Sequence, residues 1–455
     1  MSALAQVCVQ NGESVSGSDI SENIRTQKLA GLGVEIFIGH AEANIRENVC
    51  RVVVSTAIDP KNEELLEARR QGISIFHRSD LLAEMFLDHD LGLAVAGCHG
   101  KTTVSSMIAT MLSGTDYSPT CVIGGHVDAI GGNACIGESE IFVAEADESD
   151  ATFLKYFSHS AVITNIDNDH MDHYDSLDSI VKAFEIFAGH IDPAGTLYIS
   201  ADDPIARNIA QPENRRILTF GVENPADFMA ENINYLPYGS RFTLTIGGIK
   251  RGTFELNVPG CHNILNALPA IAFGLDVGLS LDQIRTGLAP FHGAGRRFEV
   301  KGIWEGITVI DDYGHHPNEI RATLAAARTL GANKVVVVFQ PHRYSRTQFL
   351  SQEFGRCFDD CDSLFITDIY PASEEPIPGV SSRLILDHMP VSHRRKVKMV
   401  KTLEEIPFHL SKVVEPGDVI FTMGAGSITR LGPEILESMK NRSEQIAALQ
   451  AEPAV

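Results

Sequence analysis

Two rhythms of apolar and polar positions run along the chain. Short unbroken apolar runs, the pattern of strands covered on both faces, occur at 51–58 ("RVVVSTAI"), at 91–96 ahead of Gly97, and at 141–146, 161–166 and 196–200. Helical spacing marks "MSALAQVCVQNG" at the start and "NEELLEARRQGI" further on, while "SVSGSDI" (14–20) predicts a strand that ends at Asp19. Residues 215–258 carry Pro and Gly at short intervals between strand-like runs, which predicts a small antiparallel addition, and "PGCHNILNALPAIAFGL" (259–275) opens a helix. After about residue 295 the rhythm resets. "ITVIDDY", "NKVVVVF", "SLFITDI", "RKVKMV" and "DVIFTMGAG" predict strands with helical segments between them, as in a second doubly wound, largely parallel sheet. The closing "SEQIAALQAEPAV" reads as a frayed tail.

Composition narrows the class. With 455 residues, 44% of them hydrophobic, the chain has material for several cores, and its net charge of −22 argues against a nucleic-acid surface or an anionic membrane face. The eight cysteines lack C-x-x-C spacing, so neither a zinc knuckle nor a disulfide framework is expected, and Cys357 and Cys361 read as buried thiols. No apolar run reaches the roughly 18 residues of a membrane span and no signal-peptide pattern stands at the start, so the expectation is a cytoplasmic enzyme without membrane insertion.

The chemistry concentrates at 91–106, "LGLAVAGCHGKTTVSS". Here an apolar strand ends in Gly97-Cys98-His99-Gly100-Lys101-Thr102-Thr103, a compressed G-x-x-G-K-T loop opening a helix. Successive backbone N–H groups at a helix start cradle phosphates, the lysine adds a point charge, and a threonine hydroxyl suits Mg²⁺, so a nucleoside triphosphate site is expected. Two later strands end in acids: "VAEADESD" with Glu145, Asp147, Glu148 and Asp150, and "TNIDNDHMDHY" with Asp169, His170 and Asp172. Carboxylates at strand ends beside a phosphate cradle suggest Mg²⁺, with His170 completing a second site, although spacing leaves open which acids bind metal. Asn263 and Asn266 share a helix face and fit either an adenine edge or a helix cap, and Asp19 fits either a turn or a ribose acid. "HRYSR" fits either a carboxylate clamp or a basic surface turn.

These motifs resemble the Mur ligases of peptidoglycan synthesis. The resemblance rests on "GCHGKTT", "AEADESD", "TNIDNDHMD", "HNILNA", "GRRFE", "DDYGHHPNEI" and "FQPHRYSRT", in family order over nearly the whole chain, and the last two look like the alanine-adding branch. It implies an α/β protein of three domains: a truncated Rossmann-like domain for the UDP sugar over 1–90, a central P-loop ATPase-like domain over 91–293, and a Rossmann-like doubly wound domain over 294–455. It further implies an ATP-dependent ligation of L-alanine to UDP-N-acetylmuramate, with two Mg²⁺ ions, in a monomer or weak homodimer. Lys101 and the loop amides would hold phosphates, Thr102 and Glu145 the first Mg²⁺, and His170 the second. Asn263 and Asn266 would read adenine, Arg297 would reach the terminal phosphates, and Asp312 would hold the ribose. Tyr313, His315, His342, Arg343 and Arg346 would line the amino-acid and product carboxylate site. Alternatives are a sister ligase that takes murein tripeptide and a non-catalytic nucleotide-binding homologue. Several family members use a carbamylated lysine; this chain has Glu185 there with Lys182 nearby, and none is assigned. Family members also open with a strand and a G-x-G-G-x-G-M turn, whose last residue aligns with Met1. The expectation is therefore a first domain that lacks its first strand, is unstable and holds the UDP sugar poorly, with a misplaced start preferred over a true truncation.

Overall fold

A computed structural model describes residues 1–171, 173–209 and 215–451. The first domain holds two separate parallel pairs: β1 (Ser16–Asp19) with β2 (Glu35–Ile38), and β3 (Arg51–Val54) with β4 (Ser74–His77). No strand among the described residues joins them. Residues of β1, β2 and β3 line a cavity of about 1040 Å³, closed on its sides by Leu4 and Cys8 of the Ser2–Gln10 helix and Leu65 of the Glu63–Gln71 helix. The apolar stripe of Ser2–Gln10 explains where that helix sits, since Ala3, Leu4, Val7 and Cys8 join the same core as Phe142 and Ala144 of the central domain.

Ten strands form the central sheet: β5 (Leu91–Ala96), β6 (Thr120–Val127), β7 (Gly132–Cys135), β8 (Ile141–Glu145), β9 (Ser160–Ile163), β10 (Thr196–Ser200), β11 (Arg216–Gly221), β12 (Phe228–Leu236), β13 (Gly239–Ile246) and β14 (Ile249–Leu256). Their order is β14-β13-β12-β11-β10-β9-β5-β8-β6-β7, parallel from β6 through to β12 and antiparallel at both margins. The expected antiparallel addition is thus an extension of this sheet. Strand alternation sends Leu93 and Val95 of β5 into the core under helices Lys101–Ser113 and Cys261–Asp276, and Ala94 and Ala96 into the opposite core with Phe184 and Phe187. Both faces are covered, which is why the strand reads as an unbroken apolar run.

The third domain repeats the plan with six strands: β15 (Glu299–Trp304), β16 (Ile307–Asp312), β17 (Val335–Phe339), β18 (Ser363–Ile366), β19 (Val397–Met399) and β20 (Val419–Met423). They run β15-β16-β20-β17-β18-β19, and only β15 is antiparallel. Val335, Val337 and Phe339 of β17 face one core, Val336 and Val338 the other. The stretch expected to fray instead continues the Leu431–Ala451 helix; residues 452–455 lie outside the described residues. Cys357 and Cys361 are buried thiols as expected, and no described helix is long and apolar enough to cross a membrane.

Candidate active site

The carboxyl ends of β5, β8 and β9 meet those of β16 and β17, where open α/β sheets place their ligands. The chain leaves β5 through Gly97, at φ 128°, and Gly100, at φ 87°. Glycine is required at the first: a Cβ on Gly97 would lie 2.0 Å from Thr164 Oγ1 and against the backbone of Asn165. The Lys101–Ser113 helix starts without a side-chain cap, leaving its first N–H groups to an anion. Lys101 Nζ donates to Gly97 O and to Glu148 Oε2, each at 2.6 Å. Burial opposes its charge, but Glu148 and Asp147 outweigh that and hold the ammonium well above its usual range.

Thr102 and Glu145 come together as the motif implies. Glu145 Oε2 accepts from Thr102 Oγ1 at 3.0 Å, and its Oε1 accepts from Gly124 N at 2.6 Å and Ser105 Oγ at 3.2 Å. Burial pushes this carboxyl up despite those donors, and a cation beside it would favour the charged form. His170 sits at φ 59°, a backbone region sparsely used by side-chain-bearing residues, with Nε2 3.2 Å from Glu148 Oε1 and 3.7 Å from Asp169 Oδ2. These hard oxygens and one imidazole nitrogen fit two divalent cations on the phosphate side. Glu148, present in the acid cluster without a sequence-assigned role, thereby links Lys101 to His170. Its neighbours turn toward the first domain: Asp147 pairs with Arg78 at 2.5 Å and Asp150 accepts from Thr56 at 3.0 Å. Asp172 lies outside the described residues.

The adenine pair divides. Asn266 packs against Gly100, its Oδ1 where a Cβ there would come within 2.6 Å, while buried Asn263 donates to Pro259 O at 2.7 Å. Cys98 and Thr103 are buried in the loop and first helical turn, and burial raises the Cys98 thiol. Asp19 stands apart at the end of β1 on the large cavity, its Oδ1 accepting from Ser21 N at 3.2 Å as a turn residue does.

From the third domain, Asp312 accepts from Phe298 N at 2.9 Å, Gly314 N at 2.8 Å and Thr323 Oγ1 at 3.2 Å, so its carboxylate shapes the loop after β16. Arg297 stacks on Tyr313 at 5.0 Å and pairs with Glu319 at 3.3 Å. Burial depresses His315 to about 3 and His342 to about 4, leaving both neutral. His342 stacks on Tyr370, and its Nδ1 lies 3.3 Å from Arg346 Nη1. Arg343 turns the chain at φ 69°. Arg346, with only 8% of its side chain exposed, reaches across to Asp169 at 3.0 Å, which excludes the basic surface turn. Burial opposes the Asp169 charge, but Arg346 and His170 hold its carboxyl far below the usual range. Asp169, His170, Arg343, Arg346 and Phe349 line a cavity of about 200 Å³ between the two domains.

A phosphate cradle on one parallel sheet, faced by a guanidinium-lined recess from another, defines a multidomain nucleotide-dependent α/β enzyme. Family models agree in all three parts: "Mur ligase family, catalytic domain" matches residues 1–89, "Mur ligase middle domain" 95–274, and "Mur ligase, glutamate ligase domain" 296–426. The chain belongs to the Mur ligase family. It is 42% identical to the UDP-N-acetylmuramate–L-alanine ligase of Koribacter versatilis over 98% of this chain and 96% of that one, and 44% identical to that of Pelotomaculum thermopropionicum, again over 98% and 96%. Among solved structures, the UDP-N-acetylmuramate-alanine ligase of Thermotoga maritima superposes with a TM-score of 0.81 at 29% identity, covering 97% of each chain. The murein peptide ligase of Psychrobacter arcticus shares the fold, with a TM-score of 0.70 at 24% identity over 97% and 96%.

Two groups of residues were given no individual role by the sequence reading. Asp167, Asn318 and Glu319 join the domains around His99, and Glu148 ties the lysine to His170. One signal was legible: His316 and Glu319 form a capping box, a spacing that marks a helix start.

Proposed function

We propose that this chain uses ATP to join L-alanine to the lactyl carboxylate of UDP-N-acetylmuramate, giving the UDP-sugar alanine amide, ADP and phosphate. The observation that carries the reading is adjacency. The lysine cradle and the arginine recess share one wall, Glu148–His170–Asp169, so a phosphorylated carboxylate formed at the first lies beside an amine held at the second. The relatives' 42–44% identity over nearly the full length supports alanine as acceptor.

In this reading residues 1–90 hold the UDP sugar, 91–293 the nucleotide, and 294–455 the amino acid. A carboxylate oxygen attacks the γ-phosphorus and ADP leaves; the alanine nitrogen then attacks the acyl carbon and phosphate leaves. Lys101 and the loop N–H groups screen the approach of two anions. Thr102 with Glu145, and His170 with Glu148, would hold two Mg²⁺ ions, which supply further neutralisation of phosphate charge. Arg343 and Arg346 are suited to clamp the alanine carboxylate, since guanidinium pairs bidentately with carboxylates. Neutral His315 and His342 flank that clamp without competing for its anion.

Phosphate release with UDP-N-acetylmuramate, ATP and Mg²⁺ tests this when L-alanine, other amino acids and murein tripeptide are supplied in turn. Release with L-alanine is expected. Strict dependence on the tripeptide would move the assignment to the sister activity, and silence with every acceptor would remove it.

A further inference from the structure

The mechanism leaves the side chain of His99 without a task. Its ring lies between carboxylates of two domains, Nε2 3.0 Å from Asp167 Oδ2 of the central domain and Nδ1 3.4 Å from Glu319 Oε1 of the third. The contact is reciprocal. Asn318, next to Glu319, donates back to the same Asp167 carboxylate, and the His316 ring packs on His99 with centroids 4.6 Å apart. Shielding is substantial: the side chains of His99 and Glu319 are 16% and 9% exposed.

Both ends of this bridge are fixed by their own domains. His99 N donates to Asn165 Oδ1 at 2.9 Å, and its carbonyl accepts from Thr164 Oγ1 at 2.6 Å and Asn165 Nδ2 at 2.9 Å. Glu319 accepts from the backbone of His315 at 3.0 Å and His316 at 3.3 Å and is pinned by Arg297. Neither can follow the other if the domains part, so the bridge exists only while they are closed. A residue of the phosphate loop is thereby wired to the first turn of the Pro317–Arg328 helix.

We propose that His99 is a positioning residue that latches the third domain over the phosphate loop, so that the loop holding the nucleotide also holds the site shut against water. An acyl phosphate exposed to water loses phosphate by attack of a water oxygen at its acyl carbon or phosphorus, which regenerates the carboxylate and yields no amide. Loosening the latch therefore uncouples phosphate release from amide formation. The uncoupling readout rests on the ligase reading; the shape of the molecule does not.

The test compares the full chain with His99→Gln, which keeps a hydrogen bond but no charge, and with Asn318→Ala, which cuts the return contact from an exposed position. Amide and phosphate are quantified together, and small-angle scattering is recorded with a non-hydrolysable ATP analogue and Mg²⁺. Expected are one phosphate per amide for the unaltered chain, an excess of phosphate for both variants, amide turnover lower by on the order of tenfold with little change in KM for alanine, and a larger radius of gyration. Unchanged stoichiometry and radius in both variants would overturn the latch. If the unaltered chain makes no amide, the ligase reading fails, and the scattering comparison alone decides for or against the latch. Should His99→Gln fail to fold, Asn318→Ala decides it.

Discussion

Lys101 is largely shielded from solvent and Glu148 neutralises it there, and that pairing sets what its loss does. Lys101→Ala removes the ammonium of the phosphate loop, and kcat is expected to fall by about 10²–10³-fold with a native circular dichroism spectrum; near-normal turnover would dismiss the role assigned to the loop. His99 makes a pH prediction. Burial works against its charge, but hydrogen bonds to Asp167 and Glu319 win and lift the imidazole from its ordinary 6.5 to about 10. A raised value means the charged form is favoured by folding, so its contribution is complete below 6.5 and fades as pH climbs through about 10. The gap in melting temperature between the unaltered chain and His99→Gln should thus be widest near neutrality or just below and close at strongly alkaline pH, as thermal scans across that range would register. The phosphate loop with Lys101 and Thr102 and the acid-rich strand ends with His170 were legible because their types and order carry the chemistry, whereas Glu145 and Arg346 were singled out only by the family resemblance. Asp167 and Glu319 were not assigned, because their roles come from contacts between segments in different domains, which no local periodicity reports.

At the scale of elements, the apolar runs of β5, β10, β16, β17 and β20 were legible because helices cover both faces and leave nothing polar to interrupt them. Strands β2, β4 and β7 were harder, being four residues each with polar positions among them, too short to establish a period. The first domain explains a further difference in strength. β5 is paired on both edges, whereas β1 and β3 each have one partner and border a cavity. Amides of Ser16–Asp19 and Arg51–Val54 should accordingly exchange with deuterium well before those of Leu91–Ala96, read by mass spectrometry on peptic fragments. Equal protection would mean that the two half-sheets are held as firmly as the central one.

At the scale of the whole molecule, three lobes are joined through charged contacts that composition cannot register: a net charge of −22 gives no hint that Asp169 lies buried under Arg346. The order of domains was legible from the reset in strand rhythm, whereas the residue pairs that hold the domains together were not, since they form only in three dimensions. The stretch from Glu145 to Asp150 has the widest reach of these. Glu145 and Glu148 answer to the phosphate loop, Asp147 and Asp150 to Arg78 and Thr56 of the first lobe. Alternate acids on one short span therefore face opposite sides, so under the proposed function the same segment would register occupancy of the first lobe and of the phosphate loop. Arg78→Ala, in the first lobe, is expected to shift the ATP dissociation constant in a fluorescence titration; an unmoved constant would mean that this span carries no crosstalk.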